Sequence, residues 1–461
     1  MDALRTDLYQ LTMAAGYFHR GMQDRHATCE MFVRRLPKRR RYMVAMGIER
    51  LLDYLENVRF TEDEIDYLRN VPSLRDAMTE SFCDYLRALR FRGDVWAVPE
   101  GKVVFANEPF VRISGPIVEA QLVETFLLSA INHSTMIASK AARVVHAAGS
   151  AGVMEFGTRR THPDSAVTAA RAAYAVGFVG TSNVQAGKQF GIPILGTAAH
   201  MWTMAHGSEE EAFSNYVATF PNASILLIDT YDTLRGAERA ARIARDKLKG
   251  VRLDSGDLLA LSKAVRVILD ENDCKQAKIV ASGDLNEYKI AGLRAAGAPI
   301  DLYGVGTDLV ASLDSPSLGG VYKLVEIEQN GAIVPICKFS ENKATFPGPH
   351  QVFRFLDSNG KLKKDVIALA DEDPSLLGEG AAEALLVPRM KGGKRTGPPE
   401  TLETIRARVR TEMGQLTESL HTLDEAPEPS ERSDEPFKAK PSQKLLDLIE
   451  NVRGRMVGAA S

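Results

Sequence analysis

Clusters of polar and charged residues recur in this sequence at the ends of short apolar runs, and they supply the side chains with which chemistry could be done. The first reads Glu155-Phe156-Gly157-Thr158-Arg159-Arg160-Thr161-His162. Two adjacent guanidiniums beside a glycine suit a carboxylate or a phosphate, because the planar fork matches both geometries. The bland alternative is an arginine paired with Asp164. Gly180-Thr181-Ser182-Asn183 and Gly196-Thr197-Ala198-Ala199-His200 follow, with Thr181, Ser182 and Thr197 equally readable as helix caps. His200 stands among small residues that allow close approach, and His206 is near; a histidine so placed acts as acid, base or nucleophile, or is merely structural. Arg252-Leu253-Asp254-Ser255-Gly256-Asp257 and Ser282-Gly283-Asp284 set carboxylates beside glycines. Such carboxylates hold sugar hydroxyls or magnesium, unless Ser255 or Asp284 simply caps the next helix. In Gly304-Val305-Gly306-Thr307-Asp308, two glycines free backbone N–H groups to cradle a phosphate at a helix start. Arginines, carboxylates, a histidine and a phosphate nest together suit a phosphorylated sugar and a second, anionic substrate.

The elements that must position these groups repeat. Short apolar runs at Val153–Phe156, Gly177–Val179, Ile192–Leu195, Ser224–Asp229, Val251–Leu253, Lys278–Ala281 and Leu302–Val305 each end in a Gly/Ser/Thr/Asp cluster. Helix-like segments follow, among them Asp164–Val176, Thr233–Leu248, Asp257–Glu271 and Asn286–Ala296. Strand, polar turn and helix in succession predict a parallel sheet with crossover helices, and so many consecutive units fit a (β/α) barrel better than an open sheet, without excluding the latter. In a barrel the functional groups belong at the C-terminal strand ends, with phosphate sites favouring the last strands.

The flanks read differently. Val95–Val98, Lys102–Phe105 and Phe110–Ile113 upstream, and Gly320–Ile327, Ile333–Phe339 and Gln351–Phe355 downstream, are short strands with antiparallel punctuation. The fold class expected is therefore α/β: an irregular (β/α) barrel over 126–325, and a discontinuous α+β sandwich domain built from 1–125 and 326–422. The Glu/Pro/Ser-rich stretch 423–441 reads as a disordered linker, and 442–461 as a tail with a short amphipathic helix, Leu445–Val452.

Composition sets outer limits. The 461 residues exceed the size at which single cores usually stop growing, about 250–300 residues. A net charge of −3 gives no reason to expect nucleic acid as a partner. The one basic run, from Arg34 to Arg41, reads as a solvated loop or as a site for a polyanion such as a diphosphate. Cys29, Cys83, Cys274 and Cys337 are scattered, without metal-ligand spacing or a disulfide framework. No apolar run approaches the roughly 20 residues of a membrane span, and Met1–Asp7 lacks the apolar core of a signal peptide, so a cytoplasmic enzyme is expected.

Six ordered stretches carry a resemblance. "TDLYQLTMAAGYF" (Thr6–Phe18), "EFGTRRTH" (Glu155–His162), "GTAAHMWTMAH" (Gly196–His206), "VRLDSGDL" (Val251–Leu258), "ASGDLNEYKI" (Ala281–Ile290) and "YGVGTDL" (Tyr303–Leu309) closely resemble nicotinate phosphoribosyltransferases, type II phosphoribosyltransferases. The resemblance implies joining of nicotinate to phosphoribosyl pyrophosphate (PRPP), coupled to ATP, as the first step of NAD synthesis from nicotinic acid. It implies a homodimer with shared active sites, in which Tyr9 of one copy and Phe156 of the other sandwich the pyridine ring. Arg159 and Arg160 would lie near the base and the PRPP phosphates. His200 would take a phosphoryl group from ATP, and Arg252 would face the pyrophosphate. Asp254 and Asp284 would bind the ribose hydroxyls, and Gly304, Gly306 and Thr307 the 5′-phosphate, with Thr197, Ser255 and Gly283 lining the same substrate site. Magnesium is expected with PRPP and ATP, and no tightly bound organic cofactor.

Ser182 favours the acid over the amide: the related nicotinamide enzymes carry aspartate there, which would repel a carboxylate. Nicotinamide and quinolinate phosphoribosyltransferases are the rival enzymes, and a non-catalytic binder of NAD precursors the rival of another class. Two departures stand out. Met201 follows His200 where some relatives have a polar residue, and the cysteine cluster of some longer relatives is absent.

Overall fold

The computed structural model describes residues 3–339, 345–423 and 437–458. The chain divides into two compact units: Met1–Met136 with Ser317–Ser461, and Ile137–Pro316. Among the described residues, no helix is long and apolar enough to cross a membrane.

The unit Ile137–Pro316 holds a six-stranded parallel sheet. Its strands run, side by side, Gly180–Thr181, Gly152–Glu155, Leu302–Val305, Lys278–Ala281, Gly250–Leu253 and Ile225–Leu227. A single parallel bridge from Thr181 to Ile194 extends the Gly180–Thr181 edge. This is the irregular barrel in its observed form, a half-barrel with helices as crossovers. The strands are almost wholly buried, as expected where helices cover a parallel sheet.

Two of the expected strands shift. The run Gly177–Val179 is not a strand; pairing begins at Gly180, where an added Cβ would lie 2.6 Å from the carbonyl oxygen of Pro193. Gly177 itself turns the chain with φ +128°, a conformation that L side chains rarely adopt. Ile192–Leu195 contributes only the Ile194 bridge.

The helices start where short polar side chains can take up their first N–H groups. Asn183 Oδ1 accepts from Ala186 N at 2.8 Å, Asp232 Oδ1 from Arg235 N at 3.0 Å, and Asn286 Oδ1 from Lys289 N at 3.0 Å. Asp257 accepts from both Leu259 N and Ala260 N at 3.1 Å. The capping expected of Thr181, Ser182, Ser255 or Asp284 therefore falls to residues farther along the chain. That difference leaves Ser182 and Asp284 uncommitted to capping at the strand ends, whereas Thr181 Oγ1 donates to Glu155 and Ser255 Oγ to Asp229.

The other unit is antiparallel in character. Its seven-stranded sheet orders Ala332–Pro335, Gly320–Gln329, His26–Val33, Pro109–Pro116, Asp94–Ala97, Val387–Lys391 and Lys394–Arg395. A four-stranded sheet comprises Ala382–Ala384, His350–Leu356, Leu362–Leu369 and Lys440–Pro441, and Met43–Val44 pairs with Val103–Val104. The strand His26–Val33 is buried at seven of its eight positions and so lacks the alternation that marks a half-exposed strand. The disordered linker expected over 423–441 lies largely outside the described residues. Within the tail, Gln443–Gly458 is a helix whose Leu445 and Val452 are buried, so its apolar stripe docks within this unit.

Candidate active site

A cleft of about 450 Å³ opens at the C-terminal ends of the parallel strands. Phe156, Arg159, Arg160, Ser182, Thr197, Arg252, Asp254, Gly283, Asp284, Gly304, Gly306 and Thr307 all line it, together with Thr158, Gly196, Ala199 and Ser282. Segments more than a hundred residues apart in sequence thus meet around one small volume, as functional groups on consecutive strand ends should.

Its floor is a hydrogen-bonded lattice. Arg252 donates from Nη1 to Thr197 Oγ1 at 2.6 Å, reaches Asp254 Oδ1 from Nη2 at 3.4 Å, and lies 6.0 Å from the centre of the Phe156 ring. Asp254 Oδ1 also accepts from Ser282 Oγ. Its other oxygen is 3.9 Å from His200 Nε2. On its far side His200 Nδ1 is 3.1 Å from Thr230 Oγ1. The imidazole is thereby oriented by the Thr230 hydroxyl at one nitrogen and turns the other toward the Asp254 carboxylate, with its side chain 40% exposed.

Ser255, which is exposed, is not among the lining residues. Its Oγ donates to Asp229 Oδ2 at 2.6 Å, and the same oxygen accepts from Asp254 N at 3.0 Å. Asp229 and Thr230 escaped the reading of the sequence. The run Ser224–Asp229 does end on a carboxylate, as its neighbours do, and that was the available signal. Asp229 Oδ1 is buried and, among the described residues, accepts no hydrogen bond.

Phe156 owes its position to two features. Gly304 sits beneath the ring, where a Cβ would come within 2.5 Å of Phe156 Cδ2. Glu155, 1% exposed, is the joint for the surrounding loops: it accepts from Gly157 N through Oε1 and from Thr181 Oγ1 at 2.5 Å through Oε2. Burial pushes the Glu155 carboxyl above its ordinary range, and those two donors only partly offset the effect. Ser182 N donates to the Glu155 backbone carbonyl at 2.9 Å, which sets the serine beside Phe156 at the cleft wall.

At the rim, Arg159 and Arg160 are exposed on the short turn Thr158–Arg160, and neither pairs with Asp164 among the described residues. Gly283 (φ +98°) and Asp284 (φ +47°) take up the left-handed region, so the turn bearing Asp284 is strongly constrained. Three arginines against Asp254 and Asp284 leave the lining net positive, the polarity an anionic ligand requires.

Tyr9 is not among the lining residues. It belongs to the other unit, on the helix Leu8–His19, where it is 48% exposed. Also in that unit, Arg40 of the basic run is buried at 1% exposure, so the run is not uniformly a solvated loop. Among the described residues there is no group of three or more His, Cys, Asp or Glu able to hold a metal ion.

Comparison with known proteins agrees with this geometry. The nicotinate phosphoribosyltransferase N-terminal domain profile matches residues 4–132, and that of the nicotinate phosphoribosyltransferase family matches residues 151–345. A nicotinate phosphoribosyltransferase of Mycobacterium tuberculosis is 44% identical over 432 residues, covering 92% of this chain and 90% of its own. That of Bacillus subtilis is 46% identical over 380 residues, 80% of this chain and 76% of its own. The crystal structure of human nicotinic acid phosphoribosyltransferase superposes with a TM-score of 0.83 at 27% identity, covering 97% of this chain and 99% of that one. Profiles spanning both halves of the chain, and relatives so similar over so much of it, establish that the chain belongs to the nicotinate phosphoribosyltransferase family.

Proposed function

We propose that the chain joins nicotinate to PRPP, giving nicotinate mononucleotide and pyrophosphate, as the first step of NAD synthesis from nicotinic acid. ATP is consumed alongside, giving ADP and phosphate through a phosphorylated His200. The observation that supports this reading best is the convergence of Arg252, Asp254, Asp284 and the Gly304–Thr307 turn on one net-positive cleft beside an exposed, oriented histidine.

In this reading the Gly306 and Thr307 backbone receives the 5′-phosphate, and Asp254 and Asp284 the ribose hydroxyls. Phe156 supplies one face for the pyridine ring, and Tyr9 of a second copy of the chain supplies the other. The ring nitrogen attacks the anomeric carbon as its bond to the pyrophosphate oxygen breaks. The sugar passes through an oxocarbenium-like state, which the neighbouring carboxylates stabilise. Arg252, with Arg159 and Arg160, offsets the charge of the departing pyrophosphate. Magnesium enters bound to PRPP and ATP as part of the substrates.

His200 takes the terminal phosphoryl of ATP on a ring nitrogen, releasing ADP, and water later releases phosphate. Thr230 orients the ring for that transfer, and the Asp254 carboxylate lies 3.9 Å from its other nitrogen. Asp254 faces both the histidine and the sugar site, which gives the two reactions a shared group. The four cysteines are free and buried, in keeping with a cytoplasmic enzyme. The test is His200→Ala assayed for mononucleotide and ADP together. The expected outcome is loss of ATP stimulation and of ADP release, with some ATP-independent synthesis remaining. Full ATP coupling in the variant would overturn the assignment.

A further inference from the structure

Behind the cleft, on the helix Glu124–Ala148, lies a charged group that the reaction as described does not use. Lys140 is 1% exposed, and its ammonium is 2.7 Å from Glu287 Oε2, 2.7 Å from Asp308 Oδ1 and 3.1 Å from Asp314 Oδ1. One helical turn on, Arg143 Nε is 3.1 Å from Glu287 Oε1, and its Nη2 donates to Tyr288 Oη at 2.9 Å. A lysine taken this far from water keeps its charge only if paired, since burial alone favours the neutral amine. Here burial pulls the ammonium's pKa down, and Glu287, Asp314 and Asp308 more than reverse that pull.

The placement of these carboxylates carries the inference. Asp308 directly follows Thr307 on the turn expected to hold the 5′-phosphate. Glu287 directly follows Asn286, which ends the constrained turn bearing Gly283 and Asp284. Asn286 joins the two, capping the helix Glu287–Ala295 through Oδ1 while donating from Nδ2 to Asp308 Oδ2 at 3.2 Å. The ammonium is thus the node that pins two neighbouring strand-end turns to one another.

We propose that Lys140 is a positioning residue for the phosphoribosyl half of the substrate, acting through Asp308 and Glu287 on the turns that bear Thr307 and Asp284. This rests on the assignment of those turns to PRPP. Phe156 and Ser182 sit on other strand ends, and Phe156 meets the Leu302–Val305 strand at Gly304 and through its N–H to the Val305 carbonyl, ahead of Thr307 and Asp308, so the pyridine half of the cleft is tied to this node less directly than the phosphoribosyl half. A shift of about 1 Å in a binding group can cost up to a hundredfold in rate, so loosening the two turns should be read chiefly in the PRPP terms.

The experiment compares Lys140→Met, Asp308→Asn and Asp314→Asn with the wild-type enzyme, varying PRPP and nicotinate separately and recording Tm. Lys140→Met and Asp308→Asn are expected to raise the PRPP KM about tenfold, with the nicotinate KM held within about twofold. Asp314→Asn removes a carboxylate from the same ammonium but outside both turns. It is expected to lower Tm while leaving the PRPP KM within about twofold. An unchanged PRPP KM in Asp308→Asn, or an equal rise in Asp314→Asn, overturns the inference. Should Lys140→Met not fold, the contrast between the two aspartate variants decides. Should the wild-type enzyme show no PRPP-dependent turnover, the functional reading fails, and the inference is then judged by the same contrast in ribose 5-phosphate affinity measured by calorimetry.

Discussion

A methyl group at residue 304 would lie 2.5 Å from Cδ2 and 2.7 Å from Cε2 of Phe156, too close for the ring to remain where it is. Gly304 therefore acts on the base-binding wall from mid-strand as well as lending its backbone to the phosphate turn. Gly304→Ala is expected to raise the nicotinate KM about tenfold and to cost about 1–3 kcal/mol of stability, the usual range for overpacking a buried site. Kinetics with nicotinate varied, together with urea denaturation, check both figures. Ser182 tests the choice between acid and amide. A carboxylate there would face the carboxylate of nicotinate, so Ser182→Asp is expected to lower kcat/KM for nicotinate by about 10- to 100-fold. Unchanged nicotinate kinetics would refute the role given to Ser182. Much at this scale was legible, since residue types alone marked His200, Asp254, Asp284 and the arginines. What the sequence hid was partnership: Ser255 donates to Asp229 and is not among the lining residues, which only the fold reveals.

At the scale of elements, some strand ends divide their labour between two positions. A residue just past the strand lines the cleft, and one farther along caps the helix, as with Ser182 and Asn183 or Asp284 and Asn286. Sequence alone could not separate these roles, because Ser, Asp and Asn serve both. The helices were legible from their composition and spacing, and so were the strands that fall on short apolar runs, such as Lys278–Ala281 and Leu302–Val305. Gly180–Thr181 was not, because a two-residue glycine-bearing strand carries no pattern. Glu155 joins two of these strand ends, and its raised pKa makes a pH prediction. A carboxyl whose folded pKa lies above its unfolded value of about 4.3 binds its proton more tightly in the folded state. Its contribution to stability is therefore present below that unfolded value and is lost as pH rises through the folded pKa. Relative to Glu155→Gln, the wild-type protein is expected to lose stability over that window and to run parallel to the variant above it. Denaturation midpoints taken from about pH 4 to about pH 8 measure this. A constant difference throughout would show that Glu155 does not titrate abnormally.

At the scale of the whole molecule, the half-barrel unit supplies every residue that lines the cleft, while the flanking unit contributes Tyr9 only through the proposed pairing of two copies. The alternation of strands and helices made the half-barrel legible. The flanking unit was less so, because its central strand His26–Val33 is buried on both faces and its sheet is completed by Val387–Lys391, far along the chain. Such long-range pairing leaves no local signature. Function at this scale reduces to one claim, that a single cleft takes a sugar diphosphate and a flat pyridine acid together. The most direct test incubates the enzyme with PRPP and, in parallel, nicotinate, nicotinamide or quinolinate, with and without ATP, and identifies the mononucleotide formed. The expected result is nicotinate mononucleotide from nicotinate, stimulated by ATP, with little product from the other two. Preferential use of nicotinamide or quinolinate, or no PRPP-dependent product at all, would contradict it.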